Sequence, residues 1–197
     1  MATIGLDSLY YAPITEAPLT GDETYGTPVV LAKGISAELS VTVAEATLYA
    51  DDGIVEVAKE FQGGTITLNV DNIGRTVAAA LTGARVDLNG VLVATGEDAA
   101  PNVALGFRAR KANGKYRYFW LYKVKFGIPN TNLTTKGESI EFATPTIEGT
   151  VMRRNRAADN GNHPWKAEVN EDDAAVLPAT ISAWFTTVYE PDFIVTP

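Results

Sequence analysis

The 197-residue chain has no cysteine and a single histidine, His163. The first absence excludes disulfides and thiolate metal centres. The second excludes multi-histidine metal sites and most histidine-based acid–base chemistry. No apolar run approaches the roughly 20 residues that a membrane helix needs. Met1–Thr15 lacks the basic start and apolar stretch of a secretory leader. Together these absences predict a soluble protein made in a cytoplasm, with no cofactor, no metal and no membrane binding.

Charge of one sign is also missing locally. Residues 1–100 carry four bases (Lys33, Lys59, Arg75, Arg85) against 14 acids, residues 101–137 carry 8 bases and no acid, and residues 138–197 carry four bases against 10 acids. The net charge of −8 therefore hides two complementary surfaces, which suit self-association or, through the basic block, nucleic acid.

The dominant period is two, the mark of half-buried strands. In Ser36–Val43 the apolar set Ala37, Leu39, Val41 and Val43 alternates with polar residues. In Thr65–Val70, Ile66, Leu68 and Val70 do the same, and Val55–Phe61 is a looser version. Gly63-Gly64 between these last two predicts a turn joining them as an antiparallel pair. Asn113-Gly114 predicts a two-residue type I′ hairpin turn, which needs positive φ at both centres. That register sets Val103 opposite Val124, Leu105 opposite Tyr122, Phe107 opposite Trp120 and Ala109 opposite Tyr118. Each hairpin arm is about ten residues, or roughly 33 Å. On the other face Arg110 then opposes Arg117 and Arg108 opposes Phe119, a like-charge pairing that an acidic partner would relieve. A further strand is predicted over Ser139–Arg156, with a change of phase at Pro145, followed by an exposed tip at Ala157–His163.

Two helices are predicted. Asp71 or Asn72 caps a short one running to Leu81, with Gly83 as its stop. Ile181, Trp184, Phe185 and Val188 have helical spacing, Pro178 suits the first turn and Pro191 the end.

Candidate chemistry is sparse. Asp51-Asp52-Gly53 lacks the spaced oxygen ligands of a calcium loop and reads as a turn. Glu171-Asp172-Asp173 reads as a solvated acidic loop. His163 has no evident nucleophile beside it, Gly114-Lys115 lacks Walker spacing, and Asn132-Leu133-Thr134 is a glycosylation sequon without a secretory context. The row Tyr116, Tyr118, Trp120, Tyr122 reads as core, with base or sugar stacking as the competing role. No acid–base–nucleophile set emerges, so an enzyme is not expected.

Several separate stretches resemble one family. They are Ile4–Ala12, Ile35–Val41, Ala46–Gly53, Lys111–Tyr122 and Glu148–Asn155, and they are similar to the major tail proteins of siphophages and prophages of Gram-positive bacteria. The resemblance runs to about Phe193, and the extra immunoglobulin-like domain of some tail proteins is not expected. It implies a mainly β fold: an antiparallel β-sandwich or half-barrel of the phage tail-tube type, with a flanking C-terminal helix, a short second helix and long hairpin extensions. It implies a single domain over 1–197 with ordered N- and C-terminal extensions. It also implies a virion subunit whose hexameric rings stack into a tube for double-stranded DNA. Its partners would be copies of itself and the tape measure, terminator and distal tail proteins, with DNA passing through without specific binding.

On that reading Leu48, Tyr49, Asp51, Asp52, Arg108, Arg110, Arg117 and Lys123 are candidates for subunit contact, the basic hairpin face meeting a neighbour's acids. Glu38, Glu56 and Glu60 are candidates for an acidic lumen. The alternatives are a non-polymerising ring protein, such as a tail terminator or baseplate component, and a β-sandwich module for carbohydrate or nucleic acid. The module requires Tyr118 and Trp120 to be exposed.

Overall fold

The computed structural model describes residues 2–51, 53–131, 133, 135, 142–158 and 160–193. The chain is mainly β, an open antiparallel sheet curled into a half-barrel. In chain order the strands are β1 (Thr3–Glu16), β2 (Glu23–Tyr25), β3 (Val29–Ala32), β4 (Gly34–Ala50), β5 (Gly53–Val70), β6 (Arg85–Val86), β7 (Leu92–Val93), β8 (Asn102–Lys111), β9 (Tyr116–Phe126), β10 (Thr146–Met152) and β11 (Lys166–Asn170). The helices are α1 (Arg75–Thr82) and α2 (Pro178–Ala183). The main sheet runs β2-β1-β8-β9-β10-β5-β4, with β3 also on β1 and β11 also on β9. β6 and β7 form a separate small hairpin.

The curl has a local cause. β3 pairs with β1 and β4 pairs with β5, yet only Lys33 separates β3 from β4. Asp71 fixes this joint: its amide donates to the Lys33 carbonyl and its side chain accepts the Lys33 amide, each at 3.0 Å. Asp71 is thus engaged here and does not cap α1, whose N-cap is Gly74 without a side-chain bond. The expected stop holds: Gly83 has φ 81° and donates to Ala79. Gly34 lies so near Leu6 and Leu9 that a Cβ there would fall within 2.8 Å of Leu6, which brings the two sheet edges together.

The inner face carries the main core: Leu9, Leu31, Ile66, Leu68, Leu105, Phe107, Leu121, Val124, Ile147 and Val151, closed by Leu81 of α1. The outer face is buried over β1, β8 and β9, with β11 beside them, and Ala12 of β1 is part of this buried cluster. There Ala104, Tyr118, Trp120 and Tyr122 pack beneath Trp184 and Val188. The C-terminal apolar stripe therefore packs as expected, but α2 ends at Ala183, well before Pro191. Trp120 Nε1 donates to the Trp184 carbonyl at 2.9 Å and removes an acceptor that a continuing helix would use. The following Thr186-Thr187-Val188 run is β-branched and disfavours helix.

Two expectations about strands are corrected. Val55–Phe61 and Thr65–Val70 are not partners; they are one strand, β5, passing straight through Gly63-Gly64 and pairing with β4 along its whole length. The glycines permit close approach, since a Cβ on Gly64 would lie 2.7 Å from the Ser40 carbonyl oxygen. The strand predicted over Ser139–Arg156 is only β10, which starts just after Pro145. Residues 139–141 lie outside the described residues, as do Asn132 and Thr134 of the sequon.

Candidate assembly surfaces

β4 and β5 are 17 and 18 residues long, but β10 pairs with β5 only from Gly64 to Asn69. Beyond that the two strands leave the sheet as a ribbon, roughly 30 Å long at about 3.3 Å per residue, whose described side chains are almost all exposed. Asp51, at φ 49°, turns the tip. Leu48 and Tyr49 lie on the end of β4, opposite Glu56 and Ile54, and not in a loop. Asp52 lies outside the described residues.

Residues directly opposite on an antiparallel pair share a face, so the register sorts the ribbon. The face continuing the core holds Val41, Val43, Tyr49, Ile54, Val57 and Phe61, interrupted by a Lys59–Glu45 ion pair at 3.1 Å. The other face holds Ser40, Thr42, Ala44, Ala46, Ala58 and Thr65 with Glu38, Glu56 and Glu60, and one large apolar residue, the exposed Leu48 opposite Glu56. The three glutamates thus share one exposed face, in a row about 36 Å long at 3.3 Å per residue. The ribbon is amphipathic, and five large apolar residues of its first face, Val41, Val43, Tyr49, Ile54 and Val57, are between 41% and 67% exposed. Among the described residues the sheet ends at β4, with no strand paired to its outer edge.

The β8–β9 hairpin departs from the predicted register. Val103 does face Val124, but Leu105 faces Leu121, Phe107 faces Phe119, Ala109 faces Arg117 and Arg110 faces Tyr116. Of the turn residues only Gly114 has positive φ, and Lys111 donates to Lys115 across three intervening residues. The turn is a three-residue loop with glycine in the left-handed position. A bulge at Tyr122-Lys123 restores the offset near Val103. The one-residue slip puts Arg110 and Arg117 on opposite faces, and Arg108 opposite Tyr118. The like-charge clash that called for a neighbour's acids does not exist.

The chain also supplies the acids itself. Arg108 pairs with Asp7, and Arg117 Nε donates to Glu168 at 2.7 Å. Lys111 Nζ lies 2.5 Å from Asp172 and Lys115 Nζ 3.1 Å from Glu171, so the expected solvated acidic loop ties down the hairpin turn. Arg110 makes no ion pair among the described residues and is exposed.

Lys123 is buried. Its ammonium sits 2.8 Å from Glu23 and 2.9 Å from Glu16. Burial pushes the Glu23 carboxyl up, but the Lys123 ammonium and the amides of Asn155 and Arg156 outweigh it and hold Glu23 below the ordinary carboxylate value. Beside it Arg154, also buried, pairs with Glu190 at 2.7 Å and lies over the Tyr122 ring. Burial pushes the neighbouring Tyr25 hydroxyl up to about 12. These contacts anchor the chain beyond α2 and were not legible beforehand, because Glu23, Lys123, Arg154 and Glu190 are far apart in sequence and follow no motif.

Tyr118 and Trp120 are buried at 5% and 0% exposure, so neither presents a stacking surface. His163 is exposed. Among the described residues no helix is long and apolar enough to cross a membrane, and no cluster of three metal-ligating side chains occurs.

No family model and no curated protein matches the chain. Solved structures do. One is a chain from the anti-feeding prophage cap, the tube terminating cap, with 12% identity over 86% of this chain and 93% of that one, at a TM-score of 0.46. A chain of an extracellular contractile injection system sheath–tube complex in the extended state has 9% identity over 83% and 88%, at 0.37. A chain of the anti-feeding prophage baseplate has 6% identity over 88% and 99%, at 0.39.

Proposed function

We propose that this protein is a structural subunit of a phage-type tail tube, acting by self-assembly and not by catalysis. The observation that carries the reading is the β4–β5 ribbon. An isolated two-stranded ribbon is marginal in water, and one with an apolar face and a long open edge is an association site that natural proteins cover. Closing such edges subunit to subunit around a ring removes them, and contacts of this heterologous kind close into rings. The sequence resemblance to siphophage major tail proteins supplies the ring and the cargo: hexamers, stacked, conducting double-stranded DNA. The glutamate row then lines the channel, where carboxylates repel phosphates and let a duplex slide.

The test is electron microscopy of the concentrated native chain, with Val43→Asp combined with Val57→Asp as the control. Stacked rings or tubes are expected from the native chain. The variant, altered only at exposed positions, should keep the native melting temperature and form none. A native chain that stays monomeric at high concentration, or a variant that still makes tubes, sinks the reading.

A further inference from the structure

We infer that Lys111 and Asn170 are a self-crosslinking pair, joined after folding by an amide bond between Lys111 Nζ and the Asn170 side chain with loss of ammonia. The bond forms within one chain and needs no second copy. Lys111 is buried, with 8% exposure, and its ammonium meets two groups. Asp172 Oδ1 is 2.5 Å away and the Asn170 amide oxygen 3.4 Å away. The amide carbon is at most one C=O bond of about 1.2 Å further, so nucleophile and electrophile lie within about 4.6 Å of each other.

A nucleophilic lysine needs a base for its proton, shielding from water and an electrophile held against it. Lys111 has all three. Among the described residues no other lysine donates to a side-chain amide. Lys115 and Lys166 meet Glu171 and Glu168, and Lys123, also buried, meets Glu16 and Glu23. An ionised carboxylate resists attack by an amine; a neutral carboxamide is the better electrophile.

Both sides of the pair sit on fixed backbone. Lys111 ends β8, and its amide donates to the Lys115 carbonyl at 2.7 Å across the turn. Asn170 ends β11, opposite Arg117 of β9. The next residue, Glu171, is tied to Tyr116 twice: the Glu171 amide donates to the Tyr116 carbonyl and the Tyr116 amide to the Glu171 carboxylate, each at 2.9 Å. Asn113 Nδ2 donates to Asp172 Oδ2 at 2.9 Å and leaves the other oxygen for Lys111. Groups held in this way react with the high effective concentration of an intramolecular step.

The step balances within the chain. Lys111 passes one ammonium proton to Asp172, leaving an amine and a carboxylic acid. The amine lone pair attacks Asn170 Cγ and forms the new C–N bond, while the carbonyl π pair moves onto oxygen. That pair returns as the bond from Cγ to the original amide nitrogen breaks, its electrons leaving with the nitrogen. The departing nitrogen takes one proton from the Lys111 nitrogen and one from Asp172 and leaves as ammonium, and Asp172 is again a carboxylate. No oxidant, reductant or second substrate takes part. The Lys111 ammonium and Asn113 hold the Asp172 carboxyl below its ordinary value, so the neutral pair is a minor population and the bond forms slowly. The product fastens the β8–β9 turn to the end of β11 and places β9, β10 and β11 inside one covalent loop. In a chain without cysteine, such a loop restricts the unfolded state as a disulfide does elsewhere.

Intact-mass spectrometry of the native chain, followed through prolonged incubation in mildly alkaline buffer, reads the step directly. The folded chain should lose the mass of one ammonia. Trypsin should no longer cut after Lys111, and the digest should contain residues 111 and 170 in one branched peptide. Lys111→Arg and Asn170→Ala should keep their full mass, and Asp172→Asn should slow the loss by at least about a hundredfold, the contribution of a positioned base. Ammonia loss with the two peptides unlinked marks succinimides at Asn89, Asn113 or Asn160, each exposed and followed by glycine, and overturns the inference. So does a native chain that is folded by circular dichroism and keeps its full mass throughout.

Discussion

Lys123 Nζ lies 2.8 Å from Glu23 in the interior, and Glu23, with 0% exposure, also accepts the amides of Asn155 and Arg156. One carboxylate thereby joins β2, β9 and the segment after β10. Removing it leaves a buried ammonium and two amides with reduced partners, a loss in the range of about 3–5 kcal/mol. Glu23→Leu should lower the melting temperature by roughly 10 °C, given about 2–4 °C per kcal/mol for a chain this size. Calorimetry checks this, and a change under about 2 °C would show that the network contributes little.

The same group sets a pH dependence. The folded Glu23 carboxyl is held below its ordinary value of 4.5. Its contribution is therefore complete above that value and is lost as the pH falls through the folded value. Glu16 and Glu168 are lowered as well: Glu16 chiefly by Lys123, and Glu168 by Lys166 and Arg117 against an opposing effect of burial. Melting temperature should be flat near neutrality and fall below about pH 4.5, and Glu23→Gln should shallow that fall. An unchanged acid limb in the variant contradicts the assignment.

How far the sequence reaches is clear from the two hairpins. Period-two alternation in Ser36–Val43 and Thr65–Val70 identifies strands correctly, because each has one face in the core and one in water. It misreads Gly63-Gly64, since glycine marks both turns and close backbone contacts, and only the register against Ser40 distinguishes them. Asn113-Gly114 correctly locates a turn but not its length, and one residue of loop moves Arg110 and Arg117 to opposite faces. The amphipathic ribbon is half legible: Glu38, Glu56 and Glu60 stand out in the sequence, whereas the matching apolar face depends on bulges at Thr42/Val43 and Leu48/Tyr49 that carry no local signal. The long strand β1 was not anticipated, and its Ser8, at φ 58°, bends it past a bulge.

Gly64 gives a direct check on the continuity of β5. A methyl group there would meet the Ser40 carbonyl oxygen at 2.7 Å, a ladder atom that cannot move without displacing β4. Gly64→Ala should destabilise by about 1–3 kcal/mol, the usual cost of overpacking. Gly63→Ala, whose nearest neighbour would be 3.5 Å away, should be milder. Denaturant melts of the pair read the difference, and equal effects would argue for a turn at these glycines.

The glutamate face yields a prediction about DNA. Glu38, Glu56 and Glu60 are exposed on one face of β4 and β5, so replacing all three by lysine should leave the monomer's melting temperature nearly unchanged. The face then changes from a row of three anions to a row of three cations. Each phosphate neutralised adds about 0.9 to the slope of log affinity against log salt, so three contacts per copy give a slope of roughly −2.7. The native chain should show no retention of duplex DNA at moderate salt in a gel-shift or anisotropy titration. The triple variant should bind with that slope, and its tubes should hold DNA that native tubes release. Equal binding by both proteins would mean that the acidic face does not meet the duplex.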